Sequence, residues 1–338
     1  MDRASGRRYH GVMTTANRRF ESAFRDGLFD RQVALVTGGG TGIGRCIAHE
    51  LARLGATVIV AGRRKEPLAA VVAEITLAGG KAAARELNIR EDEAVEATIA
   101  EIVQSFGRID VLINNAGGQF ASPAALIRPK GWRAVIDTNL NGTWFVTHAV
   151  FRLAMARPGS SGGTVVSIVA DMWNGFPGMA HTGAARAAVV NLTQTLAVEW
   201  ASAGVRLNAV APGFVLSSGL HNYPPAVAKM AKEVFLKTPS ARAATEAEVS
   251  AAVVFLASPA AAYITGATVR VDGGSSLQKE AMLPMPRHLR MKTWNGFHLD
   301  ASLPEVFQDM PGATRTEREA PHAHDPAKRT DHEPSDSA

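Results

Sequence analysis

Short apolar runs alternate with amphipathic stretches along most of this chain, and most runs stop at turn-forming residues. Val33-Ala34-Leu35-Val36-Thr37 is apolar throughout and ends at glycines, the pattern of a strand buried on both faces. Residues 42–54 then set Ile43, Ile47, Leu51 and Leu54 on one helical face. The alternation continues with a strand at 57–61, a helix at 66–78 stopped by Gly79-Gly80, a strand at 82–87, a helix at 94–106 and a strand at 111–113. One long helix is predicted over 131–152, followed by a strand at 164–169, a helix at 184–201 with His181 just ahead of it, and a strand at 205–210. A helix at 246–257 and a strand at 268–271 close the pattern. Strands separated by helices imply an α/β fold: a doubly wound parallel sheet of the Rossmann type, with right-handed crossovers.

The pattern covers residues 28–276 as one domain. Residues 1–27 read as a polar leader. Residues 277–310 carry Met282, Met285, Trp294 and Phe297 and can pack on the body or on a neighbouring subunit. Residues 311–338 are charged and proline-rich with little to bury, and are expected to be disordered. The chain has 338 residues and 46% apolar content, enough for a core. The net charge is +5, with five Arg against one Asp in residues 1–20. No basic-aromatic pattern follows, so no nucleic-acid partner is expected. Cys46 is the sole cysteine, which excludes an intrachain disulfide. No apolar run approaches the roughly 20 residues of a membrane span, and there is no secretory h-region or Ser-Lys-Leu terminus. No membrane association is expected, and the location is expected to be cytoplasmic. His322-x-His324-Asp325 lacks a second ligand cluster, so no metal is expected.

The candidate chemistry begins where the first strand meets the first helix. Gly38-Gly39-Gly40-Thr41-Gly42-Ile43-Gly44 occupies that turn. Glycines there let the backbone approach a pyrophosphate, which the helix N-terminus then attracts. Where a site for NAD(H) places an acidic residue after the second strand, this chain has Arg63-Arg64. Two guanidinium groups suit a ribose 2′-phosphate, so NADP(H) is expected over NAD(H).

These residues resemble the short-chain dehydrogenase/reductase family. The spacing from Thr37 to Gly44 looks like that family's cofactor loop, and Asn114-Asn115-Ala116-Gly117 like its motif after the fourth strand. Asn88-Ile89 stands where the family has its adenine-side Asp-Val pair. Pro212-Gly213, with Val215 just beyond, is similar to its nicotinamide-side loop, and Val271-Asp272-Gly273-Gly274 to its C-terminal signature. The resemblance implies cofactor contacts from Gly38, Gly40, Thr41, Gly42, Ile43, Gly44, Arg63, Arg64, Asn88, Ile89, Asn115, Ala116, Gly117, Arg186, Pro212, Gly213 and Val215. It also implies a homotetramer, a small-molecule or acyl-CoA substrate and a substrate lid over residues 217–239. Residues 114–123 and 181–189 resemble the peroxisomal-type trans-2-enoyl-CoA reductases and their 2,4-dienoyl-CoA reductase relatives. Asp171-Met172-Trp173 and residues 294–298 also resemble bacterial citronellol/citronellal dehydrogenases.

The family's reaction centre uses Asn, Ser, Tyr and Lys. Here Asn139 matches the Asn, but Val169 stands at the Ser position, Thr182 at the Tyr and Arg186 at the Lys. Arginine keeps its charge and cannot shuttle protons near neutral pH, and threonine is a far weaker acid than tyrosine. The departure favours reducing the C2=C3 bond of an enoyl-CoA thioester, whose oxygen needs hydrogen-bond donors more than immediate protonation. The candidate catalytic residues are Asn139, Asp171, His181, Thr182 and Arg186. A dehydrogenase of acyclic terpenoid alcohols or aldehydes is the alternative. A dinucleotide-binding sensor without catalysis is a reading of another class.

Overall fold

The computed structural model describes residues 22–278, 287 and 291–313. Among these, the strands are β1 (Val33–Thr37), β2 (Thr57–Gly62), β3 (Lys81–Glu86), β4 (Val111–Asn114), β5 (Gly163–Ile168), β6 (Val205–Pro212), β7 (Val215–Leu216), β8 (Ala244–Thr245) and β9 (Thr268–Val271). The helices are α1 (Gly42–Arg53), α2 (Lys65–Leu77), α3 (Asp92–Phe106), α4 (Pro129–Ile136), α5 (Gly142–Val150), α6 (Ala180–Glu199), α7 (Pro225–Leu236) and α8 (Glu246–Ala257). Seven strands make one sheet in the order β3-β2-β1-β4-β5-β6-β9. Every pairing in it is parallel. β7 and β8 pair separately. The chain steps outward from β1 to β3 and then returns to β4 on the other side of β1. That reversal opens a crevice beyond the carboxyl ends of β1 and β4, where Thr37 lies opposite Asn114.

β1 is buried along its whole length because successive side chains feed two different cores. Ala34 and Val36 join Ile47 and Leu51 of α1, Val71 of α2 and Val253 of α8. Val33 and Leu35 join Ile99 of α3, Val146 of α5 and Leu196 of α6. Each large aliphatic side chain so buried contributes about 1.5–3 kcal/mol. The Rossmann-type sheet with helices on both faces is thus a consequence of unbroken apolar strands, as the sequence predicts. A third cluster joins Leu220, Ala228 and Phe235 to Leu303, Phe307 and Met310.

Two helices differ from expectation where the site lies. The helix predicted over 131–152 begins at Pro129 and is interrupted by wide turns of five residues each at Asp137–Asn141 and Phe151–Met155. Around the first wide turn, Thr138 Oγ1 donates to Ala134 O, Asn139 Nδ2 to Val135 O, and Thr143 Oγ1 to Asn139 O. Such back-bonding competes with the helix's own ladder and widens it. The helix predicted from 184 starts instead at Ala180, so His181 lies in its first turn rather than ahead of it. The Thr182 N–H donates to the N-cap carbonyl of Met179 (2.9 Å) and lies 2.8 Å from His181 Nδ1.

Most of the leader (1–21), Met282 and Met285, and the tail from 314 with His322 and His324 lie outside the described residues. Among the described residues, no helix is long and apolar enough to cross a membrane, and no His, Cys, Asp and Glu cluster is arranged to hold a metal.

Candidate active site

The glycine turn forms one wall of the crevice. Gly38 has φ +65°, and a Cβ there would lie 2.9 Å from Ala116 Cα. Asn115 Nδ2 donates to the carbonyls of Thr37 and Gly38, both at 3.1 Å. Thr37 Oγ1 in turn accepts from the N–H groups of Asn115 and Ala116. These bonds tie the ends of β1 and β4 together. Gly44 packs so closely on Gly38 O that no side chain fits between them. The start of α1 has no side-chain cap and no acidic residue in its first turn. α8, by contrast, carries a full capping box from Thr245 and Glu248. The α1 N–H groups are therefore left for an anion.

The cleft encloses about 310 Å³ and is lined by Gly38, Gly40, Thr41, Gly42 and Ile43 on one side. Arg63, Arg64, Asn88 and Ile89 line the far end, and Asn115, Ala116 and Gly117 the base. Asn88 is held in its turn by Glu91 Oε1 (2.6 Å). The residues fit a dinucleotide: an uncapped helix end for the pyrophosphate, side-chain-free backbone beside it, and exposed guanidinium groups where β2 ends. Gly44, Arg186, Pro212, Gly213 and Val215 lie outside the cleft wall. Pro212 ends β6 opposite Val271, Gly213 packs on Asp272, and Val215 is in β7.

Sequence reasoning missed Leu87, Arg90 and Thr138 and gave the run Ser217-Ser218-Gly219 only to the substrate lid; all of these line the cleft. The run was readable as a small polar turn closely following Pro212-Gly213. Glu246 was missed too: a Cβ on Gly42 would lie 3.7 Å from Glu246 Oε1. Burial pushes the Glu246 carboxyl up to about 7, against the opposing pull of Arg45 and of a backbone hydrogen bond from Ser218.

Behind the base of the cleft, Gly117 separates two of the predicted catalytic residues. A Cβ on it would lie 2.5 Å from Arg186 Nη2 and 2.8 Å from Asn139 Oδ1. Asn139 is fully buried; its amide donates to Gly118 O (2.7 Å) and Val135 O (2.8 Å), and its Oδ1 accepts from Gly118 N (3.3 Å). With both N–H bonds engaged, Asn139 clamps the loop after β4 and has no proton to offer. Arg186 Nη1 donates to Ile168 O (2.7 Å), while its buried Nε has no partner. Desolvation lowers the Arg186 guanidinium to about 10, so it stays cationic at neutral pH.

His181 and Thr182 sit one turn earlier on α6. Both are fully buried, and Thr182 Oγ1 is 3.2 Å from His181 Nδ1. His181 Nδ1 lies against the Thr182 N–H and the Met179 backbone, while its Nε2 is buried without a protein partner. Burial also lowers the His181 pKa. Phe120 covers the ring edge-on, with centroids 4.5 Å apart. Val169, at the family's Ser position, is a buried core residue.

Asp171 is not brought into this group. Its Oδ2 accepts from Ser275 Oγ (3.3 Å), and burial and then the charge of Asp272 raise its pKa. Neighbouring Trp173 lies under Arg270 (3.9 Å), and Asn174 donates to Ser276 O. The whole 171–174 segment is docked on the loop after β9.

Comparison with known proteins agrees with this geometry. Residues 38–276 match the family model described as Enoyl-(Acyl carrier protein) reductase. The chain is 38% identical to a probable 2,4-dienoyl-CoA reductase of Bacillus subtilis (strain 168) over 254 residues, 73% of this chain and 98% of that protein. It is 42% identical to a 3-oxoacyl-[acyl-carrier-protein] reductase of Synechocystis sp. over 247 residues, 72% and 96% of the two chains. Among solved structures, the citronellol catabolism dehydrogenase AtuB of Pseudomonas aeruginosa PAO1 is similar at 47% identity and TM-score 0.67, covering 75% of this chain and 99% of that one. A dinucleotide cleft at the strand reversal, matched over these lengths, means that the chain is an NAD(P)-dependent oxidoreductase and belongs to the short-chain dehydrogenase/reductase family.

Proposed function

We propose that this enzyme uses NADP(H) to reduce the C2=C3 double bond of an enoyl-CoA thioester. The observation that carries the reading is the replacement of the family's Tyr and Lys by Thr182 and Arg186, with Arg186 fixed as a buried cation. An aldehyde or ketone reduced to an alcohol takes its proton on oxygen and needs an acid there. In an enoyl thioester, hydride adds at C3, negative charge gathers on the thioester oxygen, and water protonates C2. The protein then needs donors aimed at that oxygen.

NADPH, when bound, supplies the hydride. Arg63 and Arg64 would hold its 2′-phosphate, the start of α1 its pyrophosphate, and Arg186 the nicotinamide-side ribose. Asn139 keeps the Gly117-Gly118 backbone in place between them. His181 and the Thr182 hydroxyl are the donors for the thioester oxygen, reached once Phe120 moves aside. Asp171, bound to Ser275, serves in this reading to hold the 171–174 segment. The 2,4-dienoyl-CoA reductases among the relatives, which also reduce an unsaturated thioester, support it.

The identity of 47% to a citronellol catabolism dehydrogenase favours a second reading, oxidation or reduction of an acyclic terpenoid alcohol or aldehyde. NADPH absorbance followed with crotonyl-CoA, decenoyl-CoA and citronellal separates the two. Turnover of the thioesters alone is the expected result; turnover of citronellal alone overturns it. The same family membership supports a homotetramer, with Val198 of α6 and Phe255 of α8 among the exposed apolar side chains available to it.

A further inference from the structure

The family match ends at residue 276, and the chain continues beyond it. Residues 291–313 run along two different parts of the molecule. At their start they are fixed to the body. Thr245 Oγ1, at the cap of α8, donates to Trp294 O (2.6 Å), and Trp294 N donates to Glu248 Oε1 (3.2 Å). Phe297 is 2% exposed, packed against Cys46 and Ala247, edge-on to His49 and under Arg45.

At their end they support the segment that begins in the cleft wall. Residues 217–219 of that segment line the cofactor cleft, and Tyr223 Oη accepts from Gln119 Nε2 (2.8 Å). Gln119 precedes Phe120, the residue that covers His181. The segment thus spans from the cofactor loop to the cover of the reaction centre. Its helix, α7, packs chiefly on the Glu305–Phe307 turn rather than on the sheet's own helices. Phe307 is fully buried, 5.5 Å from the Phe235 ring, which itself meets Phe214 at 4.5 Å. Lys232 pairs with Asp309, and His221 Nε2 lies 3.2 Å from Ser302 Oγ. Residues 303–313 thus complete the core beneath α7, beside Phe214, Leu216, Leu220 and Ala243 of the body.

We propose that residues 291–313 are a strap that fixes α7 as a lid over the reaction cleft, with Phe307 as the positioning residue. One end is nailed to α1 and α8; the other supplies Leu303, Phe307 and Met310 to the core on which the lid rests. The lid's height above the cleft is then set by the strap, and with it how fully the site closes on its substrate and excludes water. This does not depend on whether a thioester or a terpenoid aldehyde is reduced.

The test uses the full chain with Phe307→Ala and Phe307→Leu, read by amide hydrogen exchange, NADPH affinity and steady-state kinetics. For Phe307→Ala, exchange in α7 should quicken about 100-fold, the scale of losing one buried phenylalanine, while β1, β4 and α1 stay protected. KM should rise about tenfold and kcat fall with it, while NADPH affinity changes by less than about threefold. Phe307→Leu should restore both. Exchange that rises evenly through the sheet would overturn the proposal, because Phe307 would then be ordinary core. Loosening of α7 with KM and kcat unchanged would overturn it equally, because the lid's position would not matter. The exchange readout needs no substrate, so a wrong substrate assignment would not mimic either failure.

Discussion

Replacing Arg186 with methionine separates what that residue does for the reaction from what it does for the fold. The residue is 8% exposed, and desolvation lowers its guanidinium well below its ordinary value, to about 10. At about 1.36 kcal/mol per pH unit, holding the cation in the folded protein costs roughly 3 kcal/mol at every pH below about 10. Against this stands the charge-assisted bond to Ile168 O, contributing about 1.5–3 kcal/mol. Methionine keeps most of the volume, removes the cost and gives up the bond. The two effects nearly cancel, leaving stability within about 2 kcal/mol, or roughly 5 °C in melting temperature for a domain of this size. Turnover should fall at least about 100-fold, because a misplaced reacting group costs that much. Thermal unfolding without cofactor and NADPH oxidation assays measure the two sides. A melting temperature lowered by more than about 10 °C would make Arg186 a structural residue; wild-type turnover would remove it from the site.

Three further outcomes follow from single contacts. Gly44→Ala should weaken NADPH binding at least about tenfold and lower stability by about 1–3 kcal/mol, since its methyl collides with Gly38 O and Asn115; fluorescence titration and urea unfolding check it. Arg63→Ala with Arg64→Ala should weaken NADPH binding by about 10–100-fold or more and leave NADH binding unchanged; an equal loss for both would place the arginines away from the 2′-phosphate. Glu246 has a folded pKa of about 7 against an unfolded value near 4.5, so the fold binds the extra proton between these values. Stability therefore falls as pH rises through that window, by roughly 3 kcal/mol in all. Glu246→Gln should remove this decline and gain most at pH above about 7, read as urea midpoints from pH 5 to 8.

What was legible in the sequence follows from which signals are local. Unbroken apolar runs such as Val33–Thr37 identify parallel strands because both faces are covered. The glycine turn is equally direct, since Gly38 and Gly44 are required by contacts within one turn and its neighbouring strand. Less legible were features made by distant parts of the chain. The wide turn at Asp137–Asn141 depends on Asn139 bonding simultaneously to Val135 and to Gly118 of another loop. Asp171 reads as a site residue by position, yet the partner that claims it is Ser275. Ser217-Ser218-Gly219 reaches the cleft only because the chain folds back after β7. His181 was placed ahead of a helix starting at 184; the helix in fact starts at Ala180 and runs through Gly183, over which Phe176 packs.

The loss of three of the family's four reaction-centre residues invites the view that this chain merely binds a dinucleotide. The hydrogen-bond accounting argues otherwise. Asn139 has used both of its N–H bonds on carbonyls, and Arg186 has used one of its nitrogens on Ile168 O. His181 Nε2 and Arg186 Nε remain buried with no partner. An unmet buried donor costs about 1–3 kcal/mol, more for a charged group. In a purely structural setting, packing or a neighbouring carbonyl would be expected to relieve it. Here the Arg186 Nε–H and His181 Nε2 lie in the buried layer that holds Gly117 of the cleft base and the ring covered by Phe120. Polar groups already fixed in place need little reorganisation when charge develops on a substrate oxygen. That is the property a reaction without a tyrosine acid requires, and it supports reading this centre as rebuilt for a different proton balance rather than dismantled.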